Sequence, residues 1–346
     1  MKVRQSNMEL LRIVAMFMVM MFHCNFHTLG MPSFNEVVTH PLDNFMFFVV
    51  QAISVMCVNV FILLSGWFGI HPTIKGGSKF IFQILFFMLG SYAAALLMGR
   101  TTFGIGQLAH CFFLDKSGWF IKAYLCLYIL APVLNSYAET AERISFRNLL
   151  VVFFCFQSLF GWVTDAAEFI HYGFSTISFI GLYLLARYIR RFSPSWSNKT
   201  WKFDMGIYAS LVIVSALICV ALGFLPMLRE SLYHSALGHM YAYTSPVVIL
   251  ECVFILLFFS KLKIQSKAIN FVAASAFAVI LVHGNQYIFT YTERVLNAYG
   301  TYCYWGALGY VIAMNLGVFV LAILLDQIRL FSWNLIERIS EKINNK

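Results

Sequence analysis

The stretch LRIVAMFMVMMFHCNFH, Leu11 to His27, decides the fold class of this chain. Ten uncharged and mostly apolar residues separate Arg12 from His23. A membrane-spanning helix needs roughly 20 mostly apolar residues, and the run reaches that length between residues 9 and 30. The sequence therefore predicts a first transmembrane helix that carries a cation and an imidazole inside it.

The composition of the whole chain is that of an integral membrane protein. Of its 346 residues, 60% are hydrophobic and 11% are charged, whereas a soluble domain carries about 25% charged residues. The mean hydropathy is +0.77. Basic residues collect in the cytoplasmic loops of membrane proteins, which accounts for the net charge of +9 without a nucleic-acid partner. The eight cysteines form no C-x-x-C pair, so we expect neither a disulfide framework nor a metal site.

Apolar runs recur along the chain and predict an all-α bundle of about ten transmembrane helices. The predicted spans are residues 9–30, 43–69, 78–99, 118–137, 146–163, 174–193, 205–225, 245–261, 268–290 and 304–328. With the N-terminus inside, 18 of the 24 Lys and Arg residues fall in inner segments and four in outer ones. This asymmetry predicts that both termini are inside. We expect one transmembrane domain over residues 1–346, with no appended soluble domain and no cleavable signal peptide.

Arg12 and His23 are the first candidate functional residues, because ionisable residues inside a membrane are costly and typical of functional sites. Eleven residues at 100° each end about 20° past three full turns, so the two side chains share one helix face about 16 Å apart. They could contact the two ends of one elongated ligand. Two simpler interpretations stay open: Arg12 could extend to the cytoplasmic interface, and His23 could be a structural histidine.

Two more ionisable residues are predicted at a membrane depth similar to that of His23. Glu251 lies in the eighth predicted span and His283 in the ninth. A carboxylate near a histidine orients the ring and favours its charged form. A structural hydrogen bond to a neighbouring helix would explain Glu251 equally well.

The loop after the second span reads SGWFGIHPTIKGGSK, Ser65 to Lys79. Ser65 and Gly66 end the span with a small pair. Lys75 and Lys79 flank two glycines and offer cations beside open backbone amides, a combination that suits phosphate. Two lysines are also ordinary for a cytoplasmic loop.

These features together resemble the membrane acyltransferases of family 3, bacterial proteins that O-acylate cell-surface carbohydrates. The resemblance rests on Arg-x(10)-His in the first span, about ten spans, and the Ser-Gly pair that ends the second. It is strengthened by GWFIKAYLCLYILAPVLN, Gly118 to Asn135, and by the stretch from Tyr241 to Asn285. The similarity therefore extends over essentially the whole chain.

The resemblance implies that a cytoplasmic acyl-CoA, acetyl-CoA by family default, donates an acyl group to a carbohydrate acceptor. No permanently bound cofactor and no metal are implied, and the location would be the bacterial cytoplasmic membrane. The implied roles are catalytic for His23 and Arg12. We further expect Glu251 and His283 to be supporting groups, the acyl-CoA to be bound by Ser65, Gly66, Lys75 and Lys79, and the acceptor to be bound by Trp119, Tyr124 and Tyr128. Many relatives carry an Arg-x-x-Arg pair where this chain has Lys75 and Lys79.

Other functions are compatible with the same residues. A polytopic transporter or flippase of a glycan precursor or a small polar solute would also place polar groups in the membrane. A structural or sensory protein would use them to hold helices together. Among enzymes, N-acylation of an amino sugar or a lipid head group remains an alternative. The sequence leaves the acyl group, the sugar, the membrane face of transfer and the oligomeric state open.

Overall fold

The computed structural model describes residues 4–115, 117–164, 166–225, 229–285, 287 and 290–344. Every regular element within these ranges is a helix, which confirms the all-α prediction. The chain divides into two compact units. Unit 1 comprises Met1–His71 and Trp119–Asn270, and unit 2 comprises Pro72–Gly118 and Phe271–Lys346. A single domain over residues 1–346 stays a prediction.

Unit 1 contains ten α-helices and the first residues of an eleventh. They are α1 (Ser6–Cys24), α2 (Phe34–Thr39), α3 (Pro41–Val55), α4 (Cys57–Phe68), α7 (Trp119–Thr140), α8 (Arg143–Ser158), α9 (Thr176–Phe192), α10 (Trp201–Gly223), α11 (Glu230–Met240), α12 (Pro246–Lys261) and the beginning of α13 (Lys267–Ala274). Segments Asn25–Leu29 and Leu159–Val163 extend α1 and α8 as π-helical turns.

The centre of unit 1 is the nearly continuous pair α3 and α4, which are separated at Met56. The apolar window of this pair is 78% buried, the highest share among the long apolar helices. Helix α4 packs against α9 and α1, and α1 also packs against α3 and α12. The crossing of α4 and α9 is close because Gly66 faces the α9 backbone. A Cβ built there would lie 2.3 Å from the carbonyl oxygen of Tyr183.

Polar side chains hold the segments of unit 1 in register. Asn59 Nδ2 on α4 donates to the carbonyl oxygen of Tyr243 at 2.9 Å. Asn25 Nδ2 donates to Gln51 Oε1 on α3 at 3.1 Å. Both asparagines are buried, and such bonds between segments stabilise a bundle whose surroundings are as apolar as its core.

Unit 2 is built from α5 (Ile74–Leu97), α6 (Ile105–Cys111), the rest of α13, α14 (Ala276–His283), α15 (Tyr291–Thr301) and α16 (Tyr304–Asn344). Helix α14 packs against α16 and α5. The interior of unit 2 holds a buried ion pair on α16. Arg329 Nη2 donates to Asp326 Oδ2 at 2.7 Å, and Gln83 Nε2 on α5 donates to Asp326 Oδ1 at 3.1 Å. The pair satisfies charges that would be costly alone.

Seven helical segments of the described chain are long and apolar enough to cross a membrane. They coincide with seven of the ten predicted spans. They are Ser6–Leu29, Pro41–Phe68, Ile74–Leu97, Trp119–Thr140, Arg143–Val163, Trp201–Gly223 and Tyr304–Lys342.

The other three predicted ranges are helical but short. Helices α9 and α12 have 17 and 16 residues, about 24–26 Å at 1.5 Å per residue, against a hydrocarbon thickness of about 30 Å. The range 268–290 is split at Ser275 into α13 and α14, of 8 residues each; its residues 286, 288 and 289 lie outside the described chain. The count of about ten, with both termini inside, stays a prediction.

Candidate functional site

Arg12 and His23 lie on one uninterrupted α-helix, as predicted, because α1 runs from Ser6 to Cys24. Arg12 Nη1 donates to Glu9 Oε2 at 2.5 Å, and Arg4 Nε lies 3.5 Å from Glu9 Oε1. The Glu9 side chain is 9% exposed and that of Arg12 is 31% exposed. The charge of Arg12 is therefore balanced on its own helix, while part of its guanidinium stays accessible.

Sequence reasoning did not single out Glu9. Its spacing of three residues from Arg12 places both side chains on one helix face, and this spacing could have identified the pair. A carboxylate in the first turn of a helix also interacts favourably with the helix dipole.

His23 lies in the last turn of α1, where the helix widens into the π-helical turn Asn25–Leu29. Thr28 Oγ1 donates to the carbonyl oxygen of His23 at 2.6 Å, so that the turn is held by a side chain. The ring of His27 lies 5.5 Å from that of His23, centroid to centroid. Single π-helical turns are frequent at functional sites, and apolar periodicity gave no signal for this one.

A chain of aromatic rings connects the neighbourhood of His23 to Trp119. We define the aromatic cluster as Phe22, Trp119, Phe174 and Tyr243. Ring centroids are 5.9 Å apart for Phe22 and Tyr243, 6.1 Å for Tyr243 and Trp119, and 4.6 Å for Trp119 and Phe174. The Phe22 ring in turn lies 6.1 Å from that of His23. Trp119, a predicted acceptor-binding residue, is thus connected through Tyr243 and Phe22 to the predicted catalytic histidine.

The loop before α9 brings Phe174 into this cluster through unusual backbone geometry. His171 and Tyr172 have φ values of 43° and 50°, a left-handed conformation that is costly for residues other than glycine. The ring of His171 lies 5.8 Å from that of Phe174. Consecutive left-handed residues of this size are typical of loops that are held in place by their surroundings.

The other two predicted acceptor residues lie further along α7. Tyr124 is within hydrogen-bonding distance of Ser65, with 3.3 Å between the two hydroxyl oxygens, and Ser65 Oγ also donates to the Phe61 carbonyl at 2.9 Å. Tyr128 is half-buried on the same helix. The structure therefore brings together Ser65, predicted from the loop after the second span, and Tyr124, predicted from a different segment.

The turn after α4 is fixed by a closed set of hydrogen bonds. Tyr183 accepts from the Ile70 N–H at 2.9 Å and donates to Asn135 Oδ1 at 2.6 Å. Asn135 Nδ2 donates to the Ile70 carbonyl at 2.7 Å. Gly69 precedes Ile70 with φ +77°, a value that favours glycine. Two family-like segments, the Ser-Gly loop and the block that ends in Asn135, therefore meet at one turn.

Lys75 and Lys79 lie on α5 in unit 2, whereas Ser65 and Gly66 belong to unit 1. Both lysines are exposed, and Lys75 Nζ lies 3.1 Å from Glu337 Oε1. Gly66 is buried against α9. Their predicted role in acyl-CoA binding stays a prediction.

The two supporting candidates are both deeply buried. Glu251 on α12 is 1% exposed, and neither of its carboxyl oxygens has a hydrogen-bond partner within the described chain. A buried polar group without a partner costs free energy, and most buried polar groups in proteins have one. His283 belongs to unit 2, where its ring meets that of Tyr291 edge-on at 4.1 Å.

A serine, a histidine and an aspartate also meet in the loop after α6. His110 Nδ1 lies 2.7 Å from Asp115 Oδ2 and 3.3 Å from Ser117 Oγ. Both partners use the same ring nitrogen, whereas a nucleophile relay needs one partner on each. The Ser117 side chain and His110 lower the pKa of Asp115 to about 2. The cluster is a set of hydrogen bonds that fixes the loop.

The fold and these buried polar groups define a multi-pass α-helical membrane protein. The sequence model of the acyltransferase 3 family, described as an acyltransferase domain, matches residues 5–327. The chain therefore belongs to the acyltransferase 3 family, and the match includes all of the predicted site residues. No curated protein and no solved structure matches the chain.

Proposed function

We propose that this acyltransferase moves an acyl group, acetyl in the first instance, from acyl-CoA to a hydroxyl of a cell-surface or lipid-linked carbohydrate. The protein would do so in the bacterial cytoplasmic membrane with both termini inside. The observation that carries the proposal is the placement of Arg12 and His23 on one helix, with His23 beside the aromatic cluster. Family membership supports the acyltransferase class.

His23 would act as the general base. A neutral imidazole nitrogen accepts the proton of the acceptor hydroxyl as its oxygen attacks the thioester carbonyl carbon. The tetrahedral adduct then collapses, the carbon–sulfur bond breaks, and the leaving thiolate takes the proton from the imidazolium. The alternative is that His23 carries the acyl group transiently. Labelled acyl groups that remain on the chain without an acceptor would identify that route.

Arg12 would hold an anionic part of the donor. Its guanidinium is fixed by Glu9 and is 31% exposed, so it can donate to an anion without losing its partner. The separation of about 16 Å between Arg12 and His23 suits an extended pantetheine arm with phosphate groups at one end and the thioester at the other.

The aromatic cluster would bind the acceptor. Trp119 offers a partly exposed ring beside Tyr243 and Phe174, and aromatic faces suit the apolar faces of sugar rings. Tyr124 and Tyr128, further along α7, would bind the acceptor through their hydroxyl groups. Glu251 would be a supporting group in the same unit and His283 a supporting group in unit 2.

The test is acyl transfer by the purified protein in proteoliposomes. Radiolabelled acetyl-CoA is supplied with surface polysaccharide or lipid-linked glycan, and the label on the carbohydrate is measured by mass analysis and scintillation. We expect label on the glycan only when the protein is present. Movement of glycan across the membrane without consumption of acetyl-CoA would instead support a transporter.

A further inference from the structure

Two arginines of α9 lie beside the end of α4 in unit 1: Arg187 is next to Gly69, and Arg190 is next to the rings of Trp67 and Phe68. We propose that Arg187 and Arg190 form a phosphate-binding site for the nucleotide end of the donor. The inference rests on the proposed function for the identity of the ligand, a coenzyme A thioester. The sequence predicted acyl-CoA binding by Lys75 and Lys79. It indicated for the two arginines only that they belong to the basic residues of an inner segment.

The position of Arg187 is the first observation. Its Nη1 lies 3.0 Å from where a Cβ would be built on Gly69, and Nε2 of His71 lies 3.6 Å from the same point. The absent side chain of Gly69 thus lets the Arg187 guanidinium lie directly against the turn, beside the imidazole of His71. The Gly69 turn is itself immobilised through the bonds of Tyr183 and Asn135 to Ile70.

The hydrogen bonding of Arg187 is incomplete. Its Nη2 donates to Glu139 Oε1 at 3.2 Å, but the Glu139 side chain is 60% exposed, and an exposed pair of this kind is weak. Arg187 Nε is buried and has no hydrogen-bond partner within the described chain. A buried guanidinium N–H without a partner is costly, and Arg187 therefore has a donor that the described chain does not use.

The guanidinium of Arg190 lies over two aromatic rings at the end of α4. Its Cζ lies 5.0 Å from the ring centroid of Trp67 and 5.7 Å from that of Phe68. Stacking on an aromatic face fixes the guanidinium plane and leaves its N–H edge free to donate. Arg190 is exposed, and its spacing of three residues from Arg187 puts both on one face of α9.

The neighbouring Arg191 shows what a purely structural arginine does at this helix end. Its Nη1 donates to the carbonyl oxygens of Ala138 and Ala141 at 2.6 and 2.8 Å, next to the end of α7. Arg187 and Arg190 make no comparable backbone bond in the described part of the chain. Two cations with the His71 imidazole beside them match a phosphate group, which accepts several charge-assisted hydrogen bonds.

The test measures equilibrium binding of coenzyme A, dephospho-coenzyme A and pantetheine to the purified full chain in detergent. We expect the unmodified protein to prefer coenzyme A to pantetheine by tenfold or more. Arg187→Gln and Arg190→Gln should each weaken coenzyme A binding by about tenfold, the loss of a charge-assisted bond, and leave pantetheine binding unchanged. Arg187→Lys should restore part of the affinity.

Arg147→Gln is the matched control, because it removes the same charge from an exposed residue of unit 1 that bonds only weakly to Asn148, at 3.3 Å. Arg190 is exposed, so its variant tests the site even if Arg187→Gln does not fold. Equal affinity of the unmodified protein for coenzyme A and pantetheine would overturn the proposal. So would unchanged coenzyme A binding in both arginine variants, or phosphate dependence that is lost only with Lys75→Gln.

These results separate the site from the proposed function. If the arginine variants still transfer acetyl groups with an unaltered KM for acetyl-CoA, the phosphate site is refuted and the proposed enzyme function is not affected. Phosphate-dependent coenzyme A binding without any acetyl transfer to carbohydrate would support the phosphate site and refute the proposed enzyme function.

Discussion

Replacing Gly66 by alanine tests whether the Ser-Gly pair is a packing element. The new Cβ would lie 2.3 Å from the Tyr183 carbonyl oxygen and 3.0 Å from Ala186 Cβ. Because ordinary contacts begin near 3.4 Å, α9 and α4 would have to separate by about 1 Å. Overpacking of this kind costs about 1–3 kcal/mol.

Gly206→Ala is the matched control for this change. Gly206 lies within α10 in the same unit, and nothing lies within 4 Å of its built Cβ. Alanine in a helix interior gains about 0.5–1 kcal/mol over glycine at either position. This gain cancels in the comparison, so the two variants should differ by the overpacking cost, about 1–3 kcal/mol.

Equilibrium unfolding of the purified variants in mixed dodecyl maltoside and SDS micelles, followed by circular dichroism, measures that difference. We expect Gly66→Ala to unfold at lower SDS than Gly206→Ala. If the two unfold together while only Gly66→Ala raises the KM for acetyl-CoA, Gly66 contacts the donor and the packing argument is wrong.

Three further predictions follow from single contacts. Asn135→Ala removes both bonds of its amide at the turn after α4 and should lower the free energy of unfolding by about 1–3 kcal/mol, as measured in the same micelle titration. Glu9→Gln should cost about 1 kcal/mol, because the Arg12 partner is partly exposed, and should raise the KM for acetyl-CoA by loosening Arg12. Ser117→Ala should raise the pKa of Asp115 from about 2 towards 3.8, observed by NMR titration of the labelled carboxyl. The folded pKa of Asp115 is depressed, so its contribution to stability is complete above about pH 4 and is lost as the pH falls through about 2. If the pKa of Asp115 is the same in Ser117→Ala as in the unmodified protein, Ser117 does not donate to Asp115.

Periodicity and hydropathy predicted the parts of the fold that depend on composition alone. The first helix, with Arg12 and His23 on it, followed from one apolar run and the geometry of an α-helix. Seven of the ten predicted spans coincide with long apolar helices. The resemblance that the Ser-Gly pair and the Asn135 block carried is confirmed at the level of the family.

Features that depend on tertiary contacts could not be predicted from the sequence. The break between α3 and α4 at Met56, and the one at Ser275, lie inside continuous apolar runs. Hydropathy does not distinguish such a break from a straight helix. The contact of Ser65 with Tyr124 joins residues 59 positions apart, which no local pattern could predict.

The candidate site shows the same division. Sequence spacing placed Arg12 and His23 correctly on a common helix, but the partner of Arg12 and the widened turn after His23 came only from the structure. The sequence showed the arginines of α9 only as part of the excess of basic residues in the predicted inner segments. Their contacts with Gly69 and Trp67 depend on the packing of α4 against α9.

The most direct measurement is acetyl transfer by His23→Ala in proteoliposomes, beside His40→Ala. His40 is an exposed histidine of the same unit, so the control removes the same side chain away from α1. We predict that His23→Ala transfers no label above background while its unfolding and coenzyme A binding stay normal, and that His40→Ala remains active. A His23→Ala protein that transfers acetyl at the unmodified rate would contradict the account.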